Sequence, residues 1–192
     1  MNSLSAIYKK VPRPVANTFL FIIITLIVHF LFRYWSAVHN FYIGSFQVLT
    51  PEFADKMATI VYRQSAVVVQ WLVPAEMKDN MFIFPNTYAI LVNGSCSGLK
   101  QFIQFALLMI LFPGPWKHKL WFIPTGILIL HLTNLFRIIT LAVFMCKWPG
   151  YWEFVHWYPM RIIFYVVIFG LWVFWNEKIR HKGLKSYIKT KS

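Results

Sequence analysis

Four apolar runs, at residues 15–35, 97–112, 120–145 and 159–176, take up much of this 192-residue chain and limit what it can become. A long apolar segment that satisfies its backbone hydrogen bonds internally is stable as a helix in lipid, and water would penalise several such segments together. With 58% hydrophobic and only 13% charged residues, the chain predicts a single all-α polytopic membrane domain of about four transmembrane helices. The net charge of +13 would suggest nucleic acid in a soluble protein. Here the cations flank the apolar runs, as topology determinants do, and no nucleic acid is expected.

Those cations orient the bundle. Four spans put both termini on one side, with Lys9, Lys10, Arg13, Lys117, Lys119 and the tail's Lys178, Arg180, Lys182, Lys185, Lys189 and Lys191; Arg33, Lys56, Arg63, Lys78, Lys147 and Arg161 fall on the other. Eleven cations against six, with five of the six acids on the poorer side, predict cytoplasmic termini in the plasma (inner) membrane. The first run follows Lys9, Lys10 and Arg13 like a signal peptide, yet it is long and lacks a small-residue cleavage site, so it reads as a retained span.

Three parts follow: an outer-face segment at 36–95, a core at 96–178 and a basic cytoplasmic tail at 179–192. Within the first, Phe53, Met57, Ile60, Val61 and Val68 recur at helical spacing among Glu52, Asp55, Lys56, Arg63 and Gln64. That pattern predicts an amphipathic helix on the outer face, with a true span over 52–74 as the competing topology. Residues 81–93 carry β-formers on both sides of Pro85-Asn86 and predict a short hairpin.

The hairpin leads into Asn93-Gly94-Ser95-Cys96-Ser97-Gly98-Leu99-Lys100, which predicts a cysteine at the start of the second span. A thiol there would feel the positive end of the helix dipole, with Lys100 adding a cation one turn on and Ser95 and Ser97 flanking it; both effects favour the nucleophilic thiolate. The same topology puts His156 at the outer face before the last span, and Arg137 roughly 12 Å along the third span from its outer end. An arginine at that depth is costly unless it faces protein, water or an anion.

Together the three suit acyl transfer through a thioester. Cys96 attacks a peptide carbonyl, His156 moves the proton, and Arg137 stabilises the oxyanion or orients the substrate. Asn134, three residues before Arg137 on the same face, can fix the guanidinium or act as an interhelical hydrogen-bonding residue. His131 competes with His156 as the base but lies deeper. Plainer readings exist: a small apolar filler for Cys96, a snorkelling Arg137, an interfacial-belt His156. Cys96 and Cys146 form neither a CxxC motif nor a zinc-ligand set, so no metal is expected.

The Cys96-Ser97-Gly98-Leu99 start of a span, the Asn134-x-x-Arg137 pair in the next and His156 before the last resemble, in order and spacing, the core of the exosortase/archaeosortase family of membrane transpeptidases. The likeness covers residues 90–178, in a short, compact form. It implies a catalytic triad of Cys96, Arg137 and His156. It also implies substrates bearing a C-terminal sorting signal of motif, membrane helix and basic tail, cleavage at the outer face, transfer to an acceptor molecule, and no cofactor. Two other classes fit the residues: a non-catalytic membrane scaffold, and a thiol-redox protein pairing Cys96 with Cys146.

Overall fold

The computed structural model describes residues 13–37, 51–85, 88–151 and 159–180. Five α-helices dominate: α1 (Arg13–Ala37), α2 (Pro51–Leu72), α3 (Leu99–Leu111), α4 (Trp116–Lys147) and α5 (Pro159–Phe174), the last running into a π-type turn over Trp175–Arg180. Three short strands, β1 (Glu76–Lys78), β2 (Met81–Ile83) and β3 (Ala89–Leu91), lie between α2 and α3. His156 and the tail beyond residue 180 lie outside the described residues.

One core joins α1, α3, α4 and α5. Phe105, Leu108, Leu130 and Trp175 are fully or almost fully buried in it, and Phe21 of α1 packs against Phe169 and Trp172 of α5. Gly126 of α4 meets the ring of Phe105, which occupies the space a β-carbon would need. The opposite surfaces of α1 and α5 expose Phe19, Ile22, Phe30, Ile162 and Val166, the pattern of helices facing lipid.

The turn from α3 to α4 is closed by a buried lysine. Lys119 donates from Nζ to the carbonyls of Ile110 (3.0 Å) and Phe112 (2.7 Å), satisfying acceptors left open at the end of α3. Its charge also suits the negative end of that helix.

A second core lies around the C-terminal half of α4, where Ile138, Leu141, Ala142 and Met145 pack with Ala58, Val61 and Val69 of α2, with Val73 just beyond it, and with Phe82 and Ile90 of the sheet. The amphipathic helix expected in the outer-face segment is thus present as α2, folded onto α4. Tyr62 of α2 donates to the Met81 carbonyl at 3.3 Å, and burial, aided by the charge of Asp79, holds its phenol above the ordinary value, so it remains a donor.

The expected hairpin is present as β2 and β3, and a third strand extends it into an antiparallel sheet of order β1-β2-β3. Asp79 and Asn80, at φ 47° and 59°, form the tight turn that adds β1. Both residues tolerate left-handed backbone, which a two-residue hairpin loop requires.

The expectation of about four spans is met only in part by helix length and composition. Among the described residues, one helix, Trp116–Lys147 with 32 residues, is long and apolar enough to cross a membrane; Ala16–Leu31 and Leu99–Leu111 are shorter apolar stretches. At 1.5 Å per residue, the 13 residues of α3 reach about 20 Å, short of the ~30 Å hydrocarbon thickness.

The Gly126–Phe105 contact makes a testable demand. Gly126→Leu should cost about 1–3 kcal/mol by overpacking, seen as a thermal midpoint several degrees lower in detergent. Phe105→Ala in the same chain should recover part of that loss.

Candidate active site

Cys96 closes a single 3-10 turn, Gly94–Cys96, and α3 begins three residues later at Leu99. The expectation that the cysteine opens the helix is therefore corrected. Gly98, at φ 77°, is left-handed and interrupts the chain between turn and helix. The helix-dipole argument loses its geometry. Lys100 is exposed in the first turn of α3, beyond that interruption.

The turn is held locally by polar side chains. Asn93 Oδ1 accepts from the Ser95 amide (3.2 Å) and hydroxyl (2.6 Å), while the Asn93 carbonyl accepts from the Cys96 amide at 2.8 Å. Ser97 donates from Oγ to the Gly94 carbonyl (2.7 Å) and accepts from the Leu99 amide (3.2 Å). Ser95 and Ser97 thus shape the turn.

Two helices then fix it from outside. Asp55 of α2 accepts the Gly94 amide on Oδ1 at 2.8 Å, and Asn134 of α4 donates from Nδ2 to the Cys96 carbonyl at 2.8 Å. Each approach needs a glycine. A β-carbon on Gly94 would sit 2.8 Å from Asp55 Oδ1, and one on Gly98 would sit 3.1 Å from Asn134 Nδ2. Asn134 is fully buried, and its Oδ1 is buried without a hydrogen-bond partner among the described residues. The Cys96 carbonyl thereby dictates which way the amide points.

Arg137 lies one turn beyond Asn134 on α4, half-buried, with its Nε sealed from solvent. One turn before Asn134, His131 Nε2 is 2.7 Å from Gln64 Oε1 of α2, and its ring meets the edge of Phe102. The i, i+3, i+6 spacing of His131, Asn134 and Arg137 makes one polar stripe of α4 beside the Cys96 turn. Both cysteines are partly buried thiols packed against the second core, and neither forms a disulfide.

The sequence pattern did not single out Asp55 and Gln64, which read there as the solvated face of an amphipathic helix. Gly94, squeezed against Asp55, was the available signal for a close neighbour. On this geometry Cys96 is a thiol on a turn fixed at both ends, with a guanidinium one helical turn from one of the fixing residues.

Residues 14–175 match the sequence model of a family described as Transmembrane exosortase (Exosortase_EpsH). No curated protein and no solved structure matches the chain.

Loosening either end of the turn should speed alkylation of the half-buried Cys96. Asp55→Ala and Gly98→Ala should each raise its rate severalfold, with Cys146 as the internal reference. Asn134→Asp should have the larger effect, because it sets a carboxylate oxygen against the Cys96 carbonyl. Asp55→Asn keeps an acceptor for the Gly94 amide and should stay near wild type.

Proposed function

This chain belongs to the transmembrane exosortase family, and from that premise we propose that it is a membrane-embedded cysteine transpeptidase. It cleaves a C-terminal sorting signal at the outer face and passes the protein to an acceptor. Cys96 is the nucleophile, His156 the proton carrier and Arg137 the group that meets the oxyanion. The observation that carries the reading is the Asn134 to Cys96 hydrogen bond, which ties the turn bearing the thiol to the helix bearing the arginine across 38 residues of sequence.

The chemistry balances without a cofactor. The Cys96 sulfur, having given its proton to His156, adds to the peptide carbonyl. The tetrahedral oxyanion is met by Arg137 and collapses with loss of the amine, to which His156 returns the proton. The resulting thioester retains the reactivity needed for attack by the acceptor's nucleophile, which releases Cys96.

In the proposed topology α1, α4 and α5 cross the bilayer, and the short α3 crosses it together with the chain that flanks it. The termini are cytoplasmic, and α2, the sheet and the 152–158 connection are outside. Reporter fusions after Trp116 and after residue 190 should register as cytoplasmic, and those at Asp79 and Glu153 as external. A cytoplasmic Asp79 fusion would overturn this topology.

Activity is tested by co-expressing a substrate with a tripartite C-terminal signal and measuring its cleavage by mass spectrometry, with membrane abundance of each variant as the folding control. Cys96→Ala should abolish processing, and His156→Ala should be nearly as severe. Arg137→Lys keeps the charge but loses the planar fork of donors, so it should also lose substantial activity. A double substitution within the three should be scarcely worse than the worst single one. Cys146→Ser should retain activity, which a Cys96–Cys146 redox protein would not. Full processing by an inserted Cys96→Ala protein would sink the enzyme reading.

A further inference from the structure

The two edges of the small sheet are finished differently. Antiparallel bonds from the Phe84 amide to the Tyr88 carbonyl and from the Val92 amide to the Asn80 carbonyl, both 2.9 Å, set the phase of the β2–β3 ladder. With Phe82 opposite Ile90 and Met81 opposite Leu91, the backbone groups of residues 88, 90 and 92 point at β2. Those of Ala89 and Leu91 therefore point away from the sheet. Both residues are exposed, Leu91 at 53%, and their outward groups have no hydrogen-bond partner among the described residues.

Open edges invite pairing with another chain, and sheets commonly guard them with charge. The far edge, β1, carries Glu76 and Lys78, both exposed. The β3 edge carries no charge; it offers Ala89, Leu91 and the half-exposed Tyr88. This unguarded edge leads straight into the nucleophile turn, since only Val92 and Asn93 separate β3 from Gly94.

We propose that the outward edge of β3, at Ala89 and Leu91, is the docking strand for the substrate's extended peptide beside its scissile bond. The proposal rests on the transpeptidase reading and adds how the peptide is held. An extended segment that precedes a membrane helix brings unpaired backbone donors and acceptors, and the Ala89–Leu91 edge supplies their complement over about 7 Å. Backbone pairing tolerates many side chains, leaving the motif to be read by pockets above and below. The pairing also aligns the peptide along the strand that enters the Cys96 turn, so the scissile carbonyl is carried toward the thiol.

The experiment uses full-length protein in detergent. The probe is a purified substrate ending in a short motif, apolar helix and basic tail, drawn from the source organism's own surface proteins. Leu91→Pro removes one outward N–H and leaves the β2–β3 bonds in place. It should lower the cleavage rate at limiting substrate about five- to tenfold with the maximal rate largely kept, as expected for losing one docking hydrogen bond. Leu91→Ala, which keeps the N–H, should lose less.

Amide hydrogen exchange on the Cys96→Ala protein, whose sheet is unaltered, guards against a misfolded proline variant. The Ala89 and Leu91 amides should exchange quickly alone and slowly with the probe. Wild-type kinetics in Leu91→Pro, an equal loss in Leu91→Ala, or protection already present without the probe would each overturn the proposal. If the wild-type enzyme leaves the probe uncut, the transpeptidase reading fails on its own, and protection of the two amides still decides whether the edge binds peptide.

Discussion

A single hydrogen bond, from the Asn134 side chain to the Cys96 carbonyl, is the contact on which the candidate site depends. Asn134 is fully buried on a helix long enough to span the bilayer, where an amide gains little from facing lipid and must find its partner in protein. The partner is a main-chain oxygen of the turn itself. The depth of the thiol is thereby set by the position of Asn134 along α4. Arg137, one turn further, inherits a fixed distance along the helix from the residue that holds the Cys96 turn.

The opposite end of the turn is fixed by a helix of another kind. The polar face of α2 supplies Asp55 to the Gly94 amide and Gln64 to His131, while its apolar face packs on the C-terminal half of α4. A turn of three residues has no stability of its own. Clamped between a carboxylate and a carboxamide, with glycines at both contacts, it acquires one orientation. Loss of either clamp would leave the helices standing and let the thiol wander, so the thiol's reactivity is a finer measure of this site than is global stability.

Much of this was legible in sequence because it follows from periodicity. The apolar stripe of α2, the long run of α4 and the three-residue spacing of Asn134 and Arg137 are one-dimensional facts with direct three-dimensional meaning. The misses share a cause. β1 was absorbed into the preceding polar stretch because its turn uses Asp79-Asn80 rather than a glycine. The helix start was placed at Cys96 because a 3-10 turn and an α-helical turn look alike until Gly98 is seen at φ 77°. Asp55 could not be found at all. Its importance lies in a contact 39 residues away in sequence, and a carboxylate on a helix face carries no sign of whether it meets water or an amide.

The hydrogen bonds of the turn also constrain how charge on the substrate can be stabilised. Many acyl-transfer sites meet the oxyanion with main-chain N–H groups next to the nucleophile. Here the amides of residues 94–97 and 99 are spent, and that of Gly98 has no such partner among the described residues. The Gly94 amide goes to Asp55, that of Ser95 to the Asn93 side chain, that of Cys96 to the Asn93 carbonyl and that of Ser97 to the Gly94 carbonyl. The Leu99 amide is taken by the Ser97 hydroxyl. With these five donors committed to holding the thiol in place, the proposed mechanism assigns oxyanion stabilisation to a side chain, Arg137. A guanidinium suits that task where water is scarce, because it keeps its charge and offers donors in a fixed plane. In the proposed mechanism the rigidity that positions Cys96 and the task given to Arg137 are thus linked through one set of bonds.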